Sequence, residues 1–273
     1  MSPVSHKHPV VVVRGGGDLA TGTIFMLHRA GFHVLVLESE APSAIRRTVA
    51  FCEAVYEGVM TVEGITARLI EAPEDAQKAW EKGEVAVMVD PEGACLTPLL
   101  PGVVSVVDAI MAKRNLGTRM DMAPFVIALG PGFTAGVDCH AVVETMRGHN
   151  LGRVYYEGSA MPNTGVPGLI AGHDRDRVIH AEAEGIFTAR ARIGDVVKAG
   201  DLIGQIDGFN VTATIDGVLR GLLRNGYPVT RGFKLADIDP RAEERENCYT
   251  ISDKARCIGG GVLCAVLAAT NLS

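Results

Sequence analysis

Apolar residues along the chain fall in short, nearly unbroken runs and do not alternate with polar ones. Val10–Val13, Val34–Leu37, Val85–Val89 and Val103–Val107 are such runs. Runs of this kind suit parallel strands covered on both faces. Between them the spacing turns helical, predicting helices over Leu19–Ala30, Ala44–Val55 and Glu74–Lys82. In the first, Leu19, Thr23, Met26, Leu27 and Ala30 share one face. Strand and helix in alternation are the pattern of a doubly wound α/β domain. Each run is followed by an ionisable residue, namely Arg14, Glu38, Asp90 and Asp108. Ligands of parallel sheets sit beyond the carboxyl ends of the strands, where these residues fall.

Further on, "FVIALGPGFTAGVDCHAVVETMRG" predicts a strand at Phe125–Leu129, a Gly-Pro-Gly turn and a helix near Asp138–Met146. "GRVYYEG" reads as another strand, and the Gly- and Pro-rich stretch Gly158–Asp176 as a long connector. The segment 185–207 then aligns without gaps on 217–239 at an offset of 32 residues, with Gly185/Gly217, Arg192/Arg224, Gly194/Gly226, Val197/Val229, Gly200/Gly232, Ile206/Ile238 and Asp207/Asp239 identical. Two copies of one unit of short strands and tight turns are implied. The pattern resembles the barrel-sandwich hybrid of biotinyl and lipoyl carrier domains. Those carriers present a lysine at the joint between their halves. Here the joint "GFNVTATI" has none, and Lys198 and Lys234 fall in other turns, so a scaffold or docking surface is expected in place of a swinging arm.

The expected fold is therefore a Rossmann-like parallel sheet with an inserted small all-β barrel-sandwich hybrid. The expected divisions are a nucleotide-binding domain at 1–120, a second strand–loop–helix segment and connector at 121–180, the repeat at 181–240, and a C-terminal helix returning to the α/β domain at 241–273. With 273 residues, 47% hydrophobic and 21% charged, the chain should bury a substantial core. A net charge of −6 argues against a nucleic-acid partner. No signal peptide is expected, and "IGGGVLCAVLAA" is too short to span a bilayer. Six scattered cysteines without a C-x-x-C suit a reducing, cytoplasmic setting.

Three glycine clusters stand at expected helix entrances: Gly15–Gly17 with Ala20, Gly130–Gly136, and Gly259, Gly260 and Gly261. The main-chain N–H groups of a helix start attract anions, and glycine lets a ligand approach. Gly15, Gly17 and Ala20 match G-x-G-x-x-A, and Glu38 lies where an acid commonly binds a ribose hydroxyl. Asp18 opposes a pyrophosphate there, and Arg14 offsets it. Further expected ligand contacts are Gly16, Gly130 and Gly132, with Asp108, Lys113 and Arg114 of "DAIMAKR". Three residues, Cys139, His140 and Glu144, are weak catalytic candidates, with His140 and Glu144 one helical turn apart. No metal is expected, because adjacent Cys and His on a helix do not face one point.

"VVVRGGGDLATG", "VDAIMAKRN", "IALGPGFTAGVDCHAVVETMRGHNLGRV", "NTGVPG" and "ISDKARCIGGGVLCA" together resemble the YqeB family, accessory proteins of the selenium-dependent molybdenum hydroxylase system. The resemblance implies a cytoplasmic maturation factor whose partner is a molybdenum hydroxylase or one of its maturation proteins. It transfers no catalytic residues. A molybdopterin-type cofactor and NAD(P) are the candidate anionic ligands. The alternative function is an NAD(P)-dependent oxidoreductase using His140 or Cys139. Whether any reaction is catalysed, and whether the chain forms a homo-oligomer, stays open at this level.

Overall fold

A computed structural model describes residues 8–96, 102–165 and 168–270. The chain divides into two compact units. The first comprises 1–42, 51–163 and 252–273, and the second 43–50 and 164–251.

The first unit is built on a nine-stranded sheet. Its strands are β1 (Val10–Arg14), β2 (His33–Glu38), β3 (Val59–Val62), β4 (Ile65–Leu69), β5 (Val85–Val89), β6 (Val103–Asp108), β7 (Phe125–Leu129), β8 (Ala141–Val143) and β9 (Val154–Tyr155). Its helices are α1 (Asp18–Arg29), α2 (Ala54–Glu57), α3 (Ala76–Glu81) and α4 (Asp253–Thr270). The strand order is β3-β4-β5-β2-β1-β6-β7-β8-β9. Strands β4 to β8 are joined in parallel, whereas β3 and β9 pair antiparallel at the two edges. Full burial of Val11–Val13 and Val34–Val36 explains why those runs are apolar at every position.

The expected Rossmann-like parallel sheet is thus corrected to a mixed one. One cause is the β3–β4 hairpin, whose two-residue turn puts Glu63 at φ 46° and Gly64 at φ 78°. Both central residues left-handed is the turn geometry that matches strand twist. A second cause is β9, which pairs antiparallel with β8, itself a strand in place of the helix expected near Asp138–Met146. β-branched Val142 and Val143 are buried alongside β7, and Asp138 accepts the Thr134 N–H inside the preceding turn. The helix expected over Ala44–Val55 is also corrected, breaking into 3-10 turns at Arg47–Val49 and Phe51–Glu53 before the single turn of α2.

Helices α1 and α4 lie side by side. A Cβ on Gly22 would stand 2.4 Å from the Ala255 carbonyl oxygen, and one on Gly259 would stand 2.5 Å from that of Gly22 and 3.0 Å from Met26. The matching order of these contacts makes the helices run in the same direction. Gly261 meets the Gly152 carbonyl oxygen at 2.2 Å in the same way. The Gly259–Gly261 cluster is therefore the interior of a helix, not its entrance. At Gly259 and Gly261, about 1 kcal/mol of helix propensity per glycine is offset by close packing that no side chain would permit.

The second unit has two four-stranded antiparallel sheets. Its strands are β10 (Val178–His180), β11 (Gly185–Ala189), β12 (Val196–Val197), β13 (Leu202–Ile206), β14 (Phe209–Thr212), β15 (Gly217–Leu222), β16 (Tyr227–Val229) and β17 (Lys234–Asp239). The sheet orders are β10-β17-β15-β12 and β14-β13-β11-β16. Each copy of the repeat lends its middle strand to the other, β12 to β15 and β16 to β11. The repeated Gly/Asp pairs also have a shared cause. Gly185 (φ 144°) and Gly217 (φ 154°) each lie where a Cβ would come 2.2 Å from Asp207 and Asp239 respectively. The expected inserted barrel-sandwich hybrid is corrected as well. Segments outside the repeat, β10 and β14, complete the two sheets, and the distant stretch 43–50 packs beside β15, the Ile45 carbonyl accepting the Leu222 N–H at 2.8 Å.

Candidate functional site

The carboxyl ends of β1, β2, β6, β7 and β8 meet a set of turns that brings several of the expected residues together. Gly15 turns the chain out of β1 at φ 92°, its N–H donating to the Leu37 carbonyl at 2.8 Å. A Cβ on Gly15 would come 3.0 Å from the Ala109 oxygen, and one on Gly16 would come 2.9 Å from the Cys52 nitrogen. These two glycines are required by close packing. Gly17 differs. It caps α1 with no side-chain cap hydrogen bond, and a Cβ there would meet nothing within 4 Å. The start of α1, with its unsatisfied main-chain donors, therefore has open space in front of Gly17.

Glu38, at the end of β2, reaches back to this turn. Its Oε2 accepts the Gly16 N–H at 2.7 Å, and its Oε1 accepts the Ser39 N–H at 2.8 Å. Asp18 occupies the first turn of α1 and Ala20 is buried beneath it.

Arg14 and Asp108 end neighbouring strands in register. Both are 2% exposed, with Arg14 Nη1 3.7 Å from Asp108 Oδ2. The Thr118 hydroxyl joins them, accepting from Arg14 Nη1 and donating to Asp108 Oδ2 at 2.5 Å. Arg14 Nη2 also donates to the Pro91 and Leu116 carbonyls at 2.8 and 3.3 Å. Burial pushes the Asp108 carboxyl up from the usual aspartate range, against the Thr118 hydroxyl, the Ile110 N–H and Arg14, which pull it down. Arg14 thus faces a buried carboxylate and ties down the loop 109–118, and it does not reach towards Asp18 as expected.

That loop carries two non-glycine residues in left-handed backbone, Met111 (φ 62°) and Lys113 (φ 61°), conformations that cluster at functional sites. It also touches two of the glycine turns. Its start packs on Gly15, and its Lys113–Arg114 backbone packs on Gly132, whose Cβ would be 2.6 Å from the Arg114 nitrogen. Lys113 and Arg114 themselves are exposed. Gly130 (φ 75°) sits against the Thr145 hydroxyl, which a Cβ would meet at 2.4 Å. Gly15, the 109–114 loop, Gly132 and Gly130 therefore do gather at one end of the sheet, whereas Gly259, Gly260 and Gly261 lie within α4 away from its start.

The catalytic candidates do not assemble. Cys139 is fully buried, and burial, the largest cause, pushes its thiol up to about 12. His140 accepts the Val126 N–H at Nδ1. Glu144 is fully buried and filled by the N–H groups of Thr145, Met146 and Met161 at 2.7–2.8 Å. His140 and Glu144 flank a strand, where four residues span ~13 Å, so the expected His–carboxylate pair is lost with the helix. No group of three or more His, Cys, Asp or Glu suited to a metal occurs among the described residues, and no described helix is long and apolar enough to cross a membrane.

Sequence reasoning missed Thr118, the hydroxyl between Arg14 and Asp108. The signal was local, in "NLGT", where Asn115 Oδ1 accepts the Thr118 N–H at 2.7 Å in a short Asn-anchored turn. It also missed the start of α4, readable from "SDKA", where the Ser252 hydroxyl accepts the Ala255 N–H at 3.2 Å.

A mixed α/β unit with a glycine-lined mouth, followed by a unit of repeated antiparallel strands, is the class of protein these features define. No family model matches the chain. Over 260 residues it is 55% identical to the uncharacterized protein YqeB of Escherichia coli (strain K12), a match covering 95% of this chain and 48% of that protein. This identity supports assignment of the chain to the YqeB family, and the chain spans about half the length of that curated relative. Solved structures with some likeness include the product-bound ectoine utilization protein EutE (DoeB) of Ruegeria pomeroyi, at 13% identity and TM-score 0.25 over 85% of each chain. Others are a succinylglutamatedesuccinylase/aspartoacylase of Rhodobacter sphaeroides (16%, TM-score 0.26, 85% of each) and an aspartoacylase family protein of Mesorhizobium loti (13%, TM-score 0.27, 85% of each). At these TM-scores the likeness carries no argument about this chain.

Proposed function

We propose that the chain binds a phosphate-bearing anion of the nucleotide or molybdopterin type at the carboxyl mouth of the nine-stranded sheet, as an accessory factor for a selenium-dependent molybdenum hydroxylase. The observation that carries the binding reading is Gly17, an uncapped helix start with open space before it, surrounded by glycines that the neighbouring turns require. Open donors at a helix start favour a negative group. The exposed cations Lys113 and Arg114, on a loop packed against both Gly15 and Gly132, supply charge at the rim. Glu38 is engaged with Gly16 and Ser39, so a ribose would have to share its carboxylate. The role in hydroxylase maturation rests on the sequence resemblance alone.

Thermal shift against NAD, NADP, ATP and molybdopterin nucleotides tests the reading. A ligand in saturating excess over its dissociation constant should stabilise by about 2–4 kcal/mol. Gly17→Asp has room for its side chain and an ordinary φ of −64°. It should fold and lose the response. An unchanged response in that variant refutes the assignment.

A further inference from the structure

The segment 109–118, which follows β6, is held in a conformation that its residues do not favour. Met111 and Lys113 both lie in left-handed backbone, at φ 62° and 61°, where a side chain crowds the main chain. Strain of this kind persists only where the surroundings over-determine it. Here the ends are fixed by hydrogen bonds. The Ala109 N–H donates to the Arg14 carbonyl at 2.8 Å, and the Asn115 side chain accepts the Thr118 N–H at 2.7 Å and donates to the Thr118 carbonyl at 2.9 Å. Between the ends, the backbone rests on Gly15 and Gly132, two turns with no room for a Cβ. The Thr118 hydroxyl completes the set, bonding both buried charges, Arg14 and Asp108.

Little else holds the segment down. From 109 to 118 only Ala109 and Thr118 are buried, and Leu116 is 42% exposed. Apolar burial, the usual anchor of a closed loop, is therefore weak. The closed arrangement also leaves a polar atom short, since Arg14 Nε is buried without a hydrogen-bond partner among the described residues.

We infer that 109–118 is a strained strap across the carboxyl mouth of the sheet, latched by the Thr118 hydroxyl, that opens as a unit while the sheet beneath stays folded. Opening relaxes Met111 and Lys113, frees the turns at Gly15 and Gly132, and brings Arg14 and Asp108 to solvent. This device goes beyond ligand binding and does not depend on what the mouth holds.

Hydrogen exchange of the full chain, read by mass spectrometry on peptides covering 109–118, tests it. A segment that opens locally exchanges ahead of the core and with little dependence on denaturant. In the wild type, 109–118 should exchange ~100-fold or more faster than β1 and β6, at a rate that low urea barely changes. Thr118→Val keeps the side-chain shape and removes the hydroxyl. It should speed exchange of the strap ~10-fold or more, because hydrogen bonds to charged groups are lost. Lys113→Gly should slow that exchange ~3-fold or more relative to Lys113→Ala, because glycine takes the left-handed turn without strain. If 109–118 exchanges as slowly as β1 and β6, or with their urea dependence, the strap is overturned. Unchanged exchange in Thr118→Val overturns the latch, and equal rates in the two Lys113 variants overturn the stored strain. Lys113 is exposed, and the wild-type comparison needs no variant, so the inference stays open to refutation even if Thr118→Val fails to fold.

Discussion

Arg14 looked, beside four valines and three glycines, like a counter-charge for a ligand. In the fold it is the partner of a buried carboxylate. Removing one member of a buried pair leaves the other uncompensated, so Arg14→Met is expected to cost about 3–5 kcal/mol, measured by denaturant unfolding. The double change Arg14→Met/Asp108→Leu should recover much of that loss, because neither charge is then left alone. His33 gives a separate residue-scale expectation. Its ring lies between Trp80 and His8, at centroid distances of 4.8 and 4.9 Å. Burial first, then the nearby His8 and His28, lowers its pKa below 6.5. Above that pH the ring is neutral whether the chain is folded or not, and it does not affect stability. As pH falls from 6.5 towards the folded value, the unfolded chain takes the proton first, and stability is lost. Unfolding free energies at pH about 7.5 and about 5.5 should differ less in His33→Phe than in the wild type.

The elements were legible where the sequence pattern had one physical cause. The four valine-rich runs are β1, β2, β5 and β6, and the helix expected over Leu19–Ala30 is α1, although of its expected face only Thr23 and Leu27 are buried and Ala30 is exposed. The pattern misled where two causes compete. "DCHAVVE" has apolar residues at both helical and strand spacing, and pairing with β7 decided for strand. "IGGGV" read as a helix entrance because glycine disfavours helix interiors, but two of its glycines are contact points with other backbone. The third tests the distinction. Gly260 faces open space, so Gly260→Ala should stabilise by about 0.5–1 kcal/mol. Gly22→Ala, which would press a methyl against the Ala255 backbone, should destabilise by about 1–3 kcal/mol. Melting both variants in parallel checks the pair.

At the scale of the molecule, each unit is assembled from segments far apart in the chain. Ile45 packs in the core of the second unit, against a glycine-allowed gap at Gly221, and Arg47 Nε donates to the Leu222 carbonyl at 2.8 Å. Ile45→Ala should therefore cost about 2–4 kcal/mol by thermal unfolding. A fragment of residues 164–251 should give a dispersed NMR spectrum only when a peptide of residues 43–50 is added. No local signal in the sequence pointed to this docking, since the partners are separated by more than a hundred residues.

Local chemistry in the sequence alone determined the glycine turn after β1, the strands built from valine runs, the doubled Gly/Asp pattern of the second unit and the candidate anion-binding residues. Each of these follows from steric freedom, burial or charge within a few neighbours. Tertiary structure alone decided that the sheet is mixed, that Arg14 belongs to Asp108, that Gly259 and Gly261 serve packing, and that α1 and α4 run side by side. Those outcomes depend on which distant backbones come within a few ångströms of each other, and one-dimensional order does not carry that distance.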